Sequence, residues 1–304
     1  MQKERGMTKK AKKTILITGG NGFTGRHACR YFAGQGFHVI SVVRSAGIEN
    51  HDIQTEICEL TNAEETSKLI QRVKPEYILH LAGQSNAGES WSQPISYMES
   101  NVMATLFLLE AIRIHAPSCK VVITGSILQY PLKESILPPH PYSLSKTLQI
   151  FASKSWANYF DLNIVIAKPT NLIGPGPSTG VCSILAKRVA EFEKTGKNDV
   201  LTNMDLQAKR VFLDVRDAIR AYHQLFLIGG QGKEYDVSFG TEATVGEAAS
   251  ILSSLAAVKF FVPEGVHEEK LSSLTRTGSK EFNCTSTIPL EQSLADTLDY
   301  FRNL

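Results

Sequence analysis

A glycine-rich turn between a predicted strand and a predicted helix constrains this chain more than any other feature. The apolar run 14–18 leads directly into GGNGFTG at residues 19–25. Glycine here permits a tight turn, lets backbone N–H groups approach a pyrophosphate and allows close helix-to-strand packing, while the helix N-terminus favours phosphate charge. The turn therefore predicts a dinucleotide-binding loop. Its predicted contact residues are Gly19, Asn21, Gly22, Phe23, Thr24 and Gly25.

Short β-branched runs alternate with longer helical stretches from Thr14 to Lys168, which is typical of right-handed βαβ units. After Lys168 an irregular Gly-Pro-Gly-Pro loop is followed by four predicted helices with short strands between them. We predict an α/β fold with a Rossmann-type doubly wound parallel sheet and a smaller mixed α/β substrate-binding domain. The predicted boundaries are 14–168 with a returning segment at about 211–238 for the first, and 169–210 with 239–304 for the second.

Composition excludes several classes of protein. The chain has 304 residues, and a chain of this length buries about three quarters of its unfolded surface, so it needs no disulfide or metal to stabilise its core. Residues 1–13 hold six lysines and arginines against one glutamate and are predicted to be a disordered basic tail. Because the whole chain has a net charge of +2, the rest is mildly acidic at −3, and we predict no nucleic-acid partner.

Five scattered cysteines form no CxxC pair and no metal-like cluster with histidine. We therefore predict reduced thiols, no metal site and a cytoplasmic location. The longest uncharged apolar runs fall far short of a membrane span, so we predict no membrane partner.

The end of the second predicted strand bears on the choice of cofactor. An acidic residue there normally binds the adenosine ribose of NAD, but this chain has Ile40-Ser41-Val42-Val43-Arg44-Ser45. Arg44 and Ser45, with Arg26 nearby, are suited to a 2′-phosphate, so NADPH is predicted in preference to NAD. Glu59 and Leu60 follow the third strand and are predicted to contact the adenine, with a capping role as the alternative.

Tyr142 and Lys146 lie four residues apart, and therefore on one face of a predicted helix. The ammonium is expected to lower the phenol pKa and to hold the nicotinamide ribose, which makes both residues catalytic and cofactor-binding candidates. Ser126, at the end of a predicted strand, is expected to share their cleft because ligands of open α/β sheets bind at the carboxyl ends of the strands.

These motifs together resemble the extended short-chain dehydrogenases/reductases, in the group of nucleotide-sugar epimerases, dehydratases and reductases. The resemblance runs from Thr14 to the C-terminus and is most similar to the GDP-4-keto-6-deoxy-D-mannose reductases. It includes the following further segments: His80-Leu81-Ala82-Gly83, Ser85 to Trp91, Asn101-Val102, Asn171 to Gly176, Arg210 to Asp217 and Ile288 to Leu294.

The resemblance implies roles for further residues. Asn101 would be a catalytic residue that supports the surroundings of Lys146. The other implied contacts are Leu81, Ala82 and Gly83 with the cofactor, and Ser85, Asn86, Ser126, Asn171, Lys187 and Arg210 with a nucleotide-sugar substrate. It also implies a homodimer formed through the helices that begin near Ile95 and Tyr142.

Two apolar residues, Ile127 and Leu128, limit which of the family's reactions this chain can catalyse. The family's dehydratases have Asp and Glu where this chain has Ile127 and Leu128, so dehydration lacks its acid and base. We predict NADPH-dependent reduction of the C4 keto group of a nucleotide-linked 4-keto-6-deoxy sugar, with GDP favoured and UDP, dTDP and CDP open. The alternatives are an NAD-dependent nucleotide-sugar 4-epimerase and a non-catalytic NADP-binding regulator.

Three departures from the family pattern concern the substrate. Lys168 stands where relatives often have Arg, and Pro131 where they usually have Gly. Residues 265–280 lack a clear copy of the family's nucleotide-holding Arg segment, with Lys270 or Arg276 as possible substitutes.

Overall fold

Seven parallel strands form one sheet in the computed structural model, which describes residues 12–45, 52–128, 130, 137–262 and 284–304. Their spatial order is β3-β2-β1-β4-β5-β6-β9, and a second sheet has the order β10-β8-β7. The strands are β1 (Thr14–Thr18), β2 (His38–Val43), β3 (Ile53–Ile57), β4 (Tyr77–His80), β5 (Lys120–Thr124), β6 (Ile164–Pro169), β7 (Asn171–Ile173), β8 (Lys209–Asp214), β9 (Glu234–Val237) and β10 (Thr241–Thr244).

Helices cover both faces of the large sheet, which confirms the predicted Rossmann-type fold with a smaller mixed unit. The α-helices of the described residues are α1 (Phe23–Gly34), α2 (Ala63–Val73), α3 (Pro94–Met98), α4 (Ala104–His115), α5 (Pro141–Tyr159), α6 (Val181–Thr195), α7 (Val215–Ile228), α8 (Val245–Leu255) and α9 (Leu290–Arg302), of which α6, α8 and α9 pack in the smaller unit. A π-helical turn at Glu99–Met103 joins α3 to α4, so the helix predicted to begin near Ile95 is a single run with this irregularity in it.

Strand β1 shows why its residues are apolar on both sides. Ile15 and Ile17 face the core that contains Phe32 of α1 and Tyr222 of α7, whereas Leu16 faces the core beneath α2 and α4. Alternate side chains of a strand point to opposite faces, so a sheet covered on both faces selects a continuous apolar run.

The chain order reverses between β1 and β4, because β2 and β3 lie on one side of β1 while β4 to β6 lie on the other. Such a reversal leaves a crevice at the carboxyl ends of the two strands, where ligands of these folds bind. The glycine turn follows β1 directly, so the topology places it at that crevice.

The chain returns to the large sheet through α7 and β9, since β9 pairs with β6. Strand β8 pairs with β7 and β10 in the small sheet, so the return begins at Val215, a few residues later than the expected 211. We retain the two-domain division as a proposal. The predicted basic tail lies outside the described residues through position 11, as do Pro131 and the segment 265–280.

Two buried carboxylates at the start of α7 join the two units. Asp214 accepts hydrogen bonds from the Arg216 N–H (2.8 Å) and from Ser293 Oγ (2.6 Å) of α9. Asp217 accepts from the N–H groups of Thr287 (3.0 Å) and Ile288 (3.1 Å). These contacts join the C-terminal segment to the start of α7, which packs on the large sheet.

Candidate active site

A cleft of about 490 Å³ opens at the carboxyl ends of the parallel strands. Its walls include the glycine turn, Leu81 and Gly83 after β4, Thr124 to Leu128 after β5, and Asn171 to Ile173 of β7. The cleft therefore runs from the predicted cofactor loop to the small unit. Ala82, also predicted as a cofactor contact, is not part of its wall, but its N–H donates to Thr18 Oγ1 at the end of β1 (3.0 Å).

The glycine turn has the close packing that a dinucleotide requires. A Cβ on Gly25 would lie 2.1 Å from the Gly19 carbonyl oxygen, and Gly19 itself has φ +69°. No side chain caps α1 at Gly22, so the first N–H groups of that helix are open to the cleft. These features fit a bound pyrophosphate, because it supplies the acceptor oxygens that an uncapped helix N-terminus lacks.

The end of β2 presents Arg44 and Ser45 as exposed residues. Asn21 links the glycine turn to it by donating to the Ser45 carbonyl (3.3 Å), and Arg26 Nε donates to the Asn21 carbonyl (2.9 Å). Arg26, Arg44 and Ser45 therefore belong to one surface beside the turn, although they lie outside the wall of the main cleft.

The residues that follow β3, Glu59 and Leu60, make contacts within the fold. Glu59 Oε1 accepts hydrogen bonds from the N–H and hydroxyl of Thr61, just before the α2 cap at Asn62. Leu60 is buried in the core beneath α2. The geometry favours the capping alternative for Glu59, and it gives no side-chain support for an adenine contact by Leu60.

Helix α5 brings Tyr142 and Lys146 to the cleft beside Ser126. The helix begins at Pro141 because the His140 ring caps it, with Nδ1 accepting from the Ser143 N–H (3.0 Å). Tyr142 is then in the first turn, and its phenol is within hydrogen-bonding reach of Ser126. The structure thus brings together the three side chains that the sequence predicted as the reacting group.

The pKa of the Tyr142 phenol differs from the expectation. Burial raises this pKa, and the hydrogen bond with Ser126 opposes the increase only in part. Lys146 does not lower it, because its ammonium donates elsewhere, to the Thr124 carbonyl (2.8 Å) and to Gln149 Oε1 (2.7 Å). Burial also lowers the pKa of Lys146 to about 7.

Asn101 is fully buried in the π-helical turn. Its Nδ2 donates to the Gln84 carbonyl (3.1 Å) and to Ser145 Oγ (2.8 Å), and its Oδ1 accepts from the Gln84 N–H (2.8 Å). Asn101 therefore fixes the loop after β4 against α5, next to Lys146, and does not bind Lys146 itself. These contacts are consistent with the predicted support of the surroundings of Lys146, and the catalytic role of Asn101 stays a prediction.

Some of the predicted substrate contacts line the cleft and others lie outside its wall. Ser85, Asn86 and Asn171 line the cleft. Arg210 is exposed on β8, on the same face as the cleft residue Phe212, and donates to the Lys209 carbonyl (2.9 Å). The Lys187 side chain is 60% exposed and lies 3.7 Å from Glu191 on the outer face of α6, away from the cleft wall.

The N-terminus of α6 also faces the cleft, through residues 177–182. Gly180 offers this helix no side-chain cap, and Ser178 Oγ accepts from the Gly180 N–H (3.1 Å). The cleft therefore has two uncapped helix N-termini, those of α1 and α6, and each favours negative charge. The sequence did not single out the second one, although Gly180 before a helical stretch was a usable signal.

Lys168, a departure from the family pattern, has a structural explanation. Its Nζ lies 3.2 Å from a carboxylate oxygen of Glu234 and 2.9 Å from one of Asp236, both on β9.

Within the described ranges no group of three or more His, Cys, Asp or Glu side chains could hold a metal ion. In the same part of the chain, no helix combines the length and apolarity needed to cross a bilayer.

A family model for NAD-dependent epimerases/dehydratases matches residues 15–238. The chain belongs to the NAD-dependent epimerase/dehydratase family. This confirms the resemblance to extended short-chain dehydrogenases/reductases and assigns the chain to the class of NAD(P)-dependent oxidoreductases.

Two curated relatives illustrate the range of the epimerase/dehydratase family. GDP-6-deoxy-D-mannose reductase of Pseudomonas aeruginosa is 29% identical over 196 residues, covering 61% of this chain and 64% of the relative. UDP-glucose 4-epimerase of Rhizobium leguminosarum bv. trifolii is 27% identical over 182 residues, covering 54% and 53%. The chain thus matches less than two thirds of the length of either relative.

Solved structures of this family share the fold along the whole chain. RMD from Pseudomonas aeruginosa complexed with NADPH has a TM-score of 0.76 at 23% identity, covering 96% of this chain and 100% of that one. The Bordetella bronchiseptica enzyme WbmF in complex with NAD+ and UDP has a TM-score of 0.78 at 19% identity, covering 96% and 93%. At these identities the likeness shows the fold.

Proposed function

We propose that this protein uses NADPH to reduce the C4 keto group of a nucleotide-linked 4-keto-6-deoxy sugar, with a GDP-linked sugar as the first candidate. One observation carries the proposal: none of the described residues that line the cleft is Asp, Glu or His. Elimination of water from the sugar needs an acid and a base in addition to the phenol, whereas reduction of a ketone needs one proton donor. Tyr142 is suited to be that donor.

Ile127 and Leu128 strengthen the argument. Both line the cleft directly after Ser126, and their side chains are 43% and 44% exposed. The positions that would hold the dehydratase acid and base are thus apolar and face the ligand space. The same argument applies to any step that removes a proton from C5.

Residues of the cleft stabilise the developing oxyanion and supply the proton in the proposed reduction. Ser126 Oγ accepts from the Leu128 N–H (3.0 Å) and gives its hydroxyl proton to the Tyr142 phenol oxygen; with a substrate bound, that proton can turn to the carbonyl oxygen and stabilise the negative charge that develops there. Tyr142 donates its phenolic proton to that oxygen, and its raised pKa keeps the proton available at neutral pH. The bound nicotinamide supplies hydride chemistry.

NADPH is preferred because of the surface formed by Arg26, Arg44 and Ser45. A 2′-phosphate binds well to arginine and hydroxyl donors, whereas β2 ends without the carboxylate that binds the ribose of NAD. The solved relatives differ on this point, since one carries NADPH and the other NAD+. Binding of both cofactors must therefore be compared directly.

The substrate diphosphate is assigned to the far end of the cleft. The uncapped N-terminus of α6 and Asn171 bring backbone donors and an amide to this end, and Arg210, on the same face of β8 as the cleft residue Phe212, is the nearby cation that we propose for the diphosphate. Lys187 is omitted from this site because it lies on the outer face of α6.

We also propose a homodimer in the cytoplasm. Ile95, Met103 and Phe151 on the α3–α4 run and α5 are exposed apolar side chains, and a second copy is the occupant that we propose. All five cysteines are buried and unpaired, which suits a reducing compartment.

Consumption of NADPH with GDP-, UDP-, dTDP- and CDP-linked 4-keto-6-deoxy sugars tests the proposal, beside Tyr142→Phe as a control. Turnover with one sugar, abolished in the control and weaker with NADH, is the expected result. Interconversion of UDP-sugars together with NAD released by acid from the purified protein would instead support the 4-epimerase. Cofactor binding with no turnover on any sugar would support the non-catalytic regulator.

A further inference from the structure

A chain of buried hydrogen bonds runs from the cofactor loop to Lys146, and its donors and acceptors can be assigned one by one. It starts at Thr18, whose Oγ1 accepts from the N–H groups of Leu81 (3.1 Å) and Ala82 (3.0 Å). Both lone pairs are then used, so the Thr18 hydroxyl proton goes to Nδ1 of His80 (2.8 Å). The proton of the neutral His80 ring is consequently on Nε2, which donates to Thr105 Oγ1 (2.9 Å).

The hydrogen bonds of Thr105 fix which way the Gln149 amide is oriented. Its hydroxyl proton goes to the Asn101 carbonyl (2.8 Å), so Oγ1 accepts from both His80 and Gln149 Nε2 (2.9 Å). The NH₂ group of the Gln149 amide therefore faces Thr105, and its carbonyl oxygen faces Lys146 Nζ at 2.7 Å. The reverse orientation would place two donors against each other at the charged lysine.

Lys146 has few other means of holding its charge. The groups around it are neutral: Thr124 on β5, the uncharged His80 on β4, Thr105 on α4, and Tyr142 one turn earlier on α5. Burial lowers its pKa, and no carboxylate among the described residues opposes that decrease. Two of its three N–H groups are taken by Thr124 and Gln149, which leaves the third for the cleft that Lys146 lines.

We propose that Gln149 is a positioning residue that acts through Lys146, holding the ammonium at the cleft floor and preserving its charge. The proposal rests on the proposed function only for the catalytic role of Lys146, because the hydrogen bonds themselves do not depend on which reaction the protein performs. The network also makes the position of Lys146 depend on the strand that precedes the cofactor loop, through Thr105 and His80.

NMR titration of the cofactor-free protein tests the proposal, with isotope-labelled lysine and the Lys146 resonance assigned by its loss in Lys146→Met. Gln149→Met keeps the shape and removes the acceptor, and a hydrogen bond to a charged group is strong enough to lower the titration midpoint by about one to two pH units. Gln149→Glu should raise the midpoint above that of the wild type. Ser153→Ala is the matched control, because this buried hydroxyl on α5 bonds only to the Gln149 backbone carbonyl and should leave the midpoint unchanged.

A Gln149→Met midpoint equal to that of the wild type overturns the proposal. If that variant does not fold, Gln149→Glu decides, and a midpoint that fails to rise overturns it equally. The pH dependence of NADPH affinity provides a second measurement and should shift in the same direction as the midpoint. Since the titration needs no substrate, an inactive protein with shifted midpoints would refute the reductase and leave the role of Gln149 intact.

Discussion

Replacement of Lys146 by methionine should make the cofactor-free protein more stable at low pH and less stable at high pH. Burial lowers the pKa of Lys146 from 10.5 to about 7. Between these two values the unfolded chain binds more protons than the folded one, so the stability of the wild type rises with pH across this window. Below pH 7 the charged lysine is buried at its full cost, which is about 5 kcal/mol for a shift of this size.

The variant does not recover all of that energy. It leaves the Thr124 carbonyl and Gln149 Oε1 without their donor, at about 1–2 kcal/mol each. The expected net gain is about 1–3 kcal/mol at about pH 6, and it should fall by about 1.4 kcal/mol per pH unit through the window, to zero or below at about pH 9.

Equilibrium unfolding in urea at a series of pH values, followed by the fluorescence of Trp91 and Trp156, measures this difference. Lys154→Met is the control, since Lys154 is an exposed lysine of the same helix paired with Glu234, and its profile should run parallel to that of the wild type. A Lys146→Met curve that is also parallel to the wild type across the window would refute the buried-charge argument.

Four further predictions concern the cleft and the dimer. Tyr142→Phe should lower turnover by about 10²- to 10⁴-fold, and should lower NADPH affinity far less in a fluorescence titration, because it removes one hydroxyl and keeps the ring. Arg44→Ala should weaken NADPH binding about tenfold or more but leave NADH binding unchanged, measured by calorimetry; equal losses would contradict a 2′-phosphate contact. Gly25→Ala should abolish cofactor binding because its Cβ would meet a loop carbonyl at 2.1 Å, whereas Gly34→Ala, with nothing within 4 Å, should bind normally. Phe151→Asp should prevent the proposed dimer from forming, so that light scattering gives the mass of a single chain.

The large sheet could be predicted because its signal is local and repeated. Strand β1 has the predicted bounds, and α5 begins one residue before the predicted Tyr142. A parallel sheet covered on both faces needs continuous apolar strands and helical crossovers, and both leave a clear pattern in the sequence. The start of the returning segment was less certain from sequence, because pairing of β8 with β7 and β10 depends on contacts between distant segments.

Ser126, Tyr142 and Lys146 could also be predicted from sequence, because their positions follow from the topology of the sheet. Ser126 follows a strand and Tyr142 and Lys146 share a helix, so topology alone brings them to one sheet edge. What the sequence could not give was the direction in which each long side chain points. Lys187 was assigned to the substrate from its match alone, although its side chain is on the outer face of α6.

The buried network was the harder part to foresee. Gln149 follows Lys146 by three residues and so lies on the same helix face, but a glutamine at that spacing is ordinary in helices. Only the packing of the π-helical turn and α4 against α5 buries it, and burial makes its amide the main side-chain acceptor for the ammonium. The pKa of the phenol was misjudged for the same reason, because burial outweighs a cation whose hydrogen bonds go elsewhere.

These features belong together physically. No Asp or Glu is among the described residues of the cleft wall, so within that part of the chain the charge of Lys146 is held by neutral acceptors, the Thr124 carbonyl and Gln149 Oε1. Among the same described residues, Tyr142 lies beside Ser126 and is suited to give a proton to a carbonyl oxygen, which favours carbonyl–alcohol chemistry at a single carbon. Introducing Asp at Ile127 would therefore change two properties at once: it would supply a base to the substrate and raise the pKa of Lys146. A shift in the Lys146 titration without new elimination activity would show that charge alone does not make this cleft a dehydratase.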